Sequence, residues 1–191
     1  KGDIDIASNM AIPDVQALRH DPDLTIDAVQ KGTLYYLAMS MKDDHFANPQ
    51  VREAVRYLVD YQGINKTLMA GYGTLHQRPI QSGMPETLPD PGYRLDVPRA
   101  KALLAAAGYP NGFDTTLRVL ADQPFLNIAI AIQSTLMQAG IRAKMITGTG
   151  NQIYGAMRER QFNLLVGRGG SGVEPHPHSS LRSLVYNPNN A

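Results

Sequence analysis

The sequence predicts an α/β fold with a largely parallel sheet, and three observations predict it. From Asp96 onward, segments of helical and strand character alternate in the order α-β-α-β-α-β. Strands separated by helices pair in parallel and carry those helices on the sheet faces. The helices also bring their own punctuation: Asp96 and Pro98 open one that Gly108 closes, and Gly140 closes another. Finally, Phe162 to Val166 ends in a continuous apolar run, the pattern of a strand covered on both faces.

The elements follow in order. Residues 1–47 read as short extended pieces, with alternation at Ile4-Asp5-Ile6 and Leu24-Thr25-Ile26 and a β-prone run from Thr33 to Met39. Pro13 to Leu18 fits one or two helical turns. Asn48 suits an N-cap and Pro49 a first helical position. Val51, Ala54, Val55, Leu58 and Val59 then form one apolar stripe, opposite Arg52, Glu53, Arg56 and Asp60. A second helical piece, Ile64 to Met69, stops at Gly71. Residues 71–95 hold Gly, Pro and polar residues without period, a loop long enough to be functional or pinned across a neighbouring surface. Beyond Asp96 come a helix at Ala100 to Ala107, a strand at Phe113 to Ala121, a helix at Phe125 to Ala139, a strand at Ile141 to Thr147, a short helix at Asn151 to Glu159, and the strand Phe162 to Val166.

Composition excludes several functions. The 191 residues suffice for one substantial domain and are few for two. With 43% hydrophobic and 18% charged residues, the chain has the make-up of one that folds. Its 18 basic and 17 acidic residues are scattered, with no block to follow a phosphate backbone, so no nucleic-acid partner is expected. The most apolar run, Phe125 to Met137, is broken by Asn127, Gln133, Ser134 and Thr135, so no membrane span is expected. The absence of cysteine excludes disulfides, thiolate metal sites and a cysteine nucleophile. The start, Lys1 to Ile6, has neither a basic n-region nor an apolar h-region and no initiator Met, so the chain reads as an excerpt without a signal peptide.

In an open parallel sheet, ligands sit beyond the carboxyl ends of the strands. That rule points to Gly167-Arg168-Gly169-Gly170-Ser171-Gly172, a glycine-rich stretch directly after the last strand. Its backbone amides suit a cleft lining and Arg168 suits a bidentate carboxylate contact; the plain alternative is a flexible surface linker. The spacing fits neither a Walker A loop nor a dinucleotide fingerprint. Glu174-Pro175-His176-Pro177-His178 places two histidines near a carboxylate, but no defined metal set accompanies them, so no metal and no cofactor is expected. Tyr35, Tyr36, Met39 and Met41 lie where alternate residues could line a pocket; core packing is the better explanation for any single one of them, and Tyr36 and Met39 are the two retained as ligand contacts. No nucleophile elbow and no His-Glu-x-x-His motif is present, so the chain is not expected to be an enzyme.

The order of these pieces resembles the solute-binding proteins of peptide, dipeptide and nickel ABC importers. Gly2-Asp3-Ile4-Asp5 looks like that family's "G-[DE]-[IV]-D" strand. Phe46 to Asp60 is similar to its "F-x-D-x-R-V-R-x-A-[LI]-x-x-A-I-D-R" helix. Ala100 to Tyr109 resembles "A-K-x-L-L-x-E-A-G-Y", and Ile132 to Ile141 fits "[IL]-Q-x-x-L-x-x-[IA]-G-I". The resemblance implies an α/β, periplasmic-binding-protein-like (type II) lobe with a mixed, mostly parallel sheet. It further implies a clamp of two lobes, of which residues 1–191 form most of the second as a single domain. Within it, 1–45 would be hinge-proximal strands and 46–191 the lobe core, the first lobe and a C-terminal return segment lying elsewhere.

The function implied is capture of a solute outside the cytoplasm by a monomer and delivery to permease subunits of an ABC transporter. Relatives carry peptides, nickel complexes, oligosaccharides and opine-like compounds. Where family peptide binders place "G-W-x-x-D", this chain has Arg168 and Ser171, a cation for an aromatic and a hydroxyl for an acid. A ligand offering a carboxylate or other anion to Arg168 is therefore expected, with Arg168, Gly169, Gly170, Ser171, Glu174, His176, Tyr36 and Met39 as ligand-binding candidates. Two other readings compete. One is a hydrolase-like or transferase enzyme domain using the loop at 167–172 as an anion site with His176 or His178 as base; the other is an interaction module docking a partner through residues 71–95.

Overall fold

The computed structural model describes residues 5–7, 10–27, 32–70, 72–80, 82–169, 178 and 181. Its elements are α1 (Ile12–Leu18), β1 (Leu34–Met39), α2 (Asp44–Ala47), α3 (Pro49–Arg56), α4 (Tyr61–Thr67), α5 (Val97–Ala106), β2 (Phe113–Leu120), α6 (Phe125–Gln138), β3 (Ile141–Gly148), α7 (Gly150–Arg158) and β4 (Leu164–Gly169).

The four strands form one sheet in the order β1-β4-β2-β3. β2 runs parallel to both β3 and β4, while β1 is antiparallel to β4, with Tyr36 opposite Gly167 and Met39 opposite Leu164. The sheet is therefore mixed and mostly parallel, as the sequence implies. Adjacent strand residues point to opposite faces, and β1 shows where the helices lie. The Tyr35 ring meets Phe125 at the start of α6, with centroids 5.3 Å apart, whereas the Tyr36 hydroxyl reaches Met157 in α7. So α6 covers one face and α7 the other.

Helix ends follow the capping chemistry written in the sequence. Asn48 accepts from the Gln50 amide, Asp60 from Gly63 and Asp96 from Arg99, each filling an otherwise orphaned donor. At the end of α5, Gly108 takes φ +90° while its amide bonds Ala105 and that of Tyr109 bonds Leu104, a Schellman closure. The core gathers Phe46, Val51, Val55 and Leu58 with Leu104 of α5, Leu117 of β2, Leu136 of α6 and Leu164 of β4, all at most 1% exposed.

Four expectations need correction. The stripe Val51 to Val59 does not make one helix: α3 ends at Arg56 with Tyr57 as its cap residue, because Asp60 begins α4 almost at once. Leu58 and Val59 remain buried on the turn between, since burial rather than helicity is what an apolar position requires. Leu24-Thr25-Ile26 is not a strand; residues 24–27 lie outside the sheet with Leu24 48% exposed, for no neighbour offers a ladder. The last strand does not stop at Val166, because Gly167, Arg168 and Gly169 continue it opposite Tyr36, Tyr35 and Leu34. A side chain at 167 would meet the Tyr36 hydroxyl and Leu165 Cδ2, each at 2.9 Å, so glycine here makes room across the ladder and is not a loop signal. The expected helix at 64–69 also shifts, to Tyr61–Thr67.

Among the described residues, 72–95 carry no helix or strand and are stitched to themselves. Gln77 accepts from the Tyr93 amide and donates to its carbonyl, its own amide donates to Asp90, and Arg78 donates to the Pro89 carbonyl. At the far end of the sheet, Asp43 Oδ1 accepts from the amides of His45 and Phe46, and its other oxygen accepts from Asn163, which in turn accepts from Thr116. Burial raises the Asp43 pKa, but the hydrogen bonds from Asn163, Phe46 and His45 outweigh it and hold the carboxyl below its ordinary value.

Two expected outcomes follow from these contacts. Gly112 has φ +71°, and an added Cβ would lie 2.0 Å from the Gly140 carbonyl oxygen, where the chain enters β2 beside the start of β3. Gly112→Ala should cost about 3 kcal/mol or more in urea unfolding. Because the folded pKa of Asp43 is depressed, its contribution is present above the unfolded carboxylate value of about 4 and is lost as pH falls through the folded value. The stability gap between the parent and Asp43→Asn should thus be constant from neutral pH to about pH 5 and close below about pH 4; a gap that widens on acidification would contradict this.

Candidate functional site

Sheet topology sets the place. β2, β3 and β4 end at Leu120, Gly148 and Gly169, and antiparallel β1 begins at Leu34 on the same edge. From this edge a wide, open recess of ≈ 1940 Å³ runs along the outer side of β1 from Gly32 to Met41. Its other walls are the start of α1, α4 with the loop after it, the turn Gln123-Pro124 leading into α6, and the end of α7. It exceeds the several hundred cubic ångströms of an ordinary small-molecule pocket, and the described residues leave it partly open.

Arg168 stands at the strand-end rim of this recess. It is exposed, and its register opposite Tyr35 puts its side chain on the face that carries α6, where Tyr35 packs on Phe125. Its backbone is held from the other face: the Arg168 amide donates to the Tyr154 hydroxyl at 3.1 Å, and that hydroxyl faces the Arg168 carbonyl oxygen at 3.4 Å. No carboxylate lies within ion-pair distance of its guanidinium among the described residues.

Tyr36 and Met39 both line the recess and are half-buried. The Tyr36 hydroxyl donates to Met157 Sδ at 3.5 Å, and burial, helped by the neighbouring Tyr154, pushes its phenol up to about 12. Tyr36 is therefore a neutral polar wall at ordinary pH and supplies no acid or base there. Gly169 is opposite Leu34 at the last rung of the ladder. Gly170, Ser171, Glu174 and His176 lie outside the described residues.

Sequence reasoning missed four residues of this rim. Gln123, Phe125 and Asn127 sit at the turn where β2 passes into α6, the position in an α/β unit that faces a ligand, and that rule was the signal available for them. Tyr154 gave no local signal, since its contact to Arg168 spans 14 residues and depends on how α7 packs.

The recess is charged in one sense. Arg56, Arg78, Arg158, Arg160 and Arg168 line it, whereas no aspartate or glutamate does among the described residues. The one histidine lining it among the described residues, His76, has its Nδ1 3.1 Å from Asp90 and its Nε2 against the Ile80 carbonyl. The described residues hold no group of three or more His, Cys, Asp or Glu suited to a metal ion, and no helix among them is long and apolar enough to cross a membrane.

Comparison with known proteins gives the lineage. The model of the family described as bacterial extracellular solute-binding proteins, family 5 middle, matches residues 1–191. The glutathione-binding protein GsiB of Pectobacterium atrosepticum is 28% identical over 161 residues, covering 78% of this chain and 31% of that protein. Among solved structures, HbpA2 from Haemophilus parasuis superposes with a TM-score of 0.75 at 26% identity, covering 89% of this chain and 34% of its own. AgaA from A. tumefaciens R10, solved with agropinic acid, gives 0.68 at 30% identity over 74% of this chain and 30% of its own. The chain thus spans about a third of the length of the relatives it matches. The fold is the type II periplasmic-binding-protein α/β architecture expected from the sequence, and the family and relatives are binding proteins, which leaves the enzyme reading without support.

Proposed function

Because the chain belongs to the bacterial extracellular solute-binding proteins of family 5, we propose that it forms most of one lobe of an ABC importer's receptor. In this reading the whole protein works outside the cytoplasm as a monomer without cofactor. It captures a small polar solute, peptide-like or anionic, between two lobes and delivers it to the permease subunits. Residues 1–45 approach the hinge and 46–191 build the lobe core.

The observation that carries the reading is the wide recess at the strand carboxyl ends, which the described residues leave partly open. A two-lobed clamp needs a partly open site of this kind: the solute stabilises the closed form through contacts to both lobes, and neither lobe alone encloses it. Arg168, Gly169, Tyr36 and Met39 are assigned to the solute-facing wall, with Gly170, Ser171, Glu174 and His176 following them in the chain. The relatives' ligands fit a recess of this kind, since glutathione and agropinic acid are both small polar molecules bearing carboxylates.

The test is calorimetric. The solute recovered from the intact protein is titrated into that protein and into residues 1–191 alone. The lobe alone should bind at least about a hundredfold more weakly, the equivalent of about 2.7 kcal/mol of missing contacts. Full-strength binding by the lobe would overturn the clamp.

A further inference from the structure

We propose that Arg168 is a carboxylate-binding residue, that Tyr154 is the positioning residue that aims it, and that the captured solute is consequently a carboxylate-bearing anion. The proposal rests on the receptor reading above and specifies its solute class.

Four observations carry it. Arg168 lines the rim of the recess with no carboxylate within ion-pair distance among the described residues, and an arginine in that condition keeps its planar fork of donors available for a bidentate anion. Its backbone is fixed at both polar atoms by one hydroxyl from the opposite face of the sheet, at the last rungs of the ladder where strand ends fray. An arginine that merely adds charge to a surface has no need of that clasp. Beside it, Tyr35 and Phe125 form a tilted aromatic pair that gives the solute's carbon skeleton a wall.

Finally, the whole recess lacks acidic side chains among the described residues although acids nearly equal bases in the chain. A cation-bearing solute would find no counter-charge on this wall, whereas an anion finds a field of one sign that also speeds its capture. The bland account, a solubilising surface arginine, explains the exposure of Arg168 but neither the clasp nor the missing acids.

The experiment uses the intact protein. Solute released by denaturation is identified by mass spectrometry. In parallel, a panel of small acids is titrated, each against its own primary amide: N-acetyl-alanyl-alanine, glutarate and gluconate. The recovered solute should carry at least one carboxylate, and an acid that binds should lose about tenfold or more on conversion to its amide. Arg168→Gln should abolish that preference while leaving the melting temperature of the empty protein essentially unchanged. Arg168→Lys should retain part of it, because an ammonium keeps the charge and loses the fork. Tyr154→Phe should weaken the acids severalfold with the acid-over-amide order intact, which separates aiming from contact. A neutral or cationic solute bound equally by parent and Arg168→Gln would overturn the proposal and leave the receptor reading standing. Failure of the intact protein to bind either a recovered solute or any panel member would overturn both.

Discussion

The antiparallel pairing of β1 with β4 is the constraint on which the rest depends. It joins Leu34–Met39 to Leu164–Gly169, segments separated by more than half the chain, and adds the strand whose free side lines the recess. Without it, the parallel trio β4-β2-β3 would still have α6 and α7 on its faces, but the carboxyl edge would have no wall beyond β4. The pairing is specified sterically. Tyr36 fills the space that a side chain at 167 would occupy, so a slip of one residue would set Tyr36 against Val166 or Arg168 and turn its ring to the other face.

That same contact explains what the sequence could and could not disclose. The run α5-β2-α6-β3-α7-β4 was legible because each element is local: a cap at Asp96, glycine stops at Gly108 and Gly140, and apolar periods between them. The continuation of β4 through Gly167-Arg168-Gly169 was not, because two glycines flanking an arginine carry turn propensity, and only the distant Tyr36 shows why glycine belongs in the ladder. The early end of α3 was hidden for the opposite reason. Its apolar stripe runs on to Val59 while the backbone has already turned toward the next cap at Asp60. For the site, topology pointed to the edge of the sheet on which the recess opens and to Arg168 at its rim. Tyr154 and the Tyr35–Phe125 pair come from packing across the sheet, which no window of sequence contains.

The one-signed recess has a source in the fold. Many of the chain's carboxylates are engaged elsewhere: Asp43, Asp60 and Asp96 hold helix N-termini, Asp114 pairs with Arg142 across the β2–β3 ladder, Glu53 lies 3.7 Å from Arg99, and Asp90 holds the loop through His76 and Gln77. A cap needs a side-chain oxygen to accept from amide donors, which a carboxylate supplies, and none of the three capping aspartates lines the recess. The exposed pair Asp114–Arg142 contributes little to stability, as solvent-screened pairs do; its effect is to occupy charges on the far edge strand. Arg56, Arg78, Arg158, Arg160 and Arg168, none of which is paired with a carboxylate among the described residues, line the recess instead. A nearly neutral chain thereby acquires a cationic face without any basic run in its sequence.

In the proposed clamp, rigidity on this side matters for how a solute would close it. A closing ligand can shift the open–closed equilibrium only by the difference in its contacts to the two forms. Any ordering that binding must impose on the first wall subtracts from that difference. Here the wall is ordered beforehand: Arg168 is clasped through its backbone, Tyr35 is packed on Phe125, Tyr36 is tied to Met157, and the loop beyond Tyr72 is laced by Gln77 to Tyr93 and Asp90. Landing on this lobe would therefore cost little conformational entropy. In the proposed receptor, most of the free energy of contact with an opposite lobe would then remain available to hold the clamp shut, a division of labour that a recess on a stiff sheet makes physically economical.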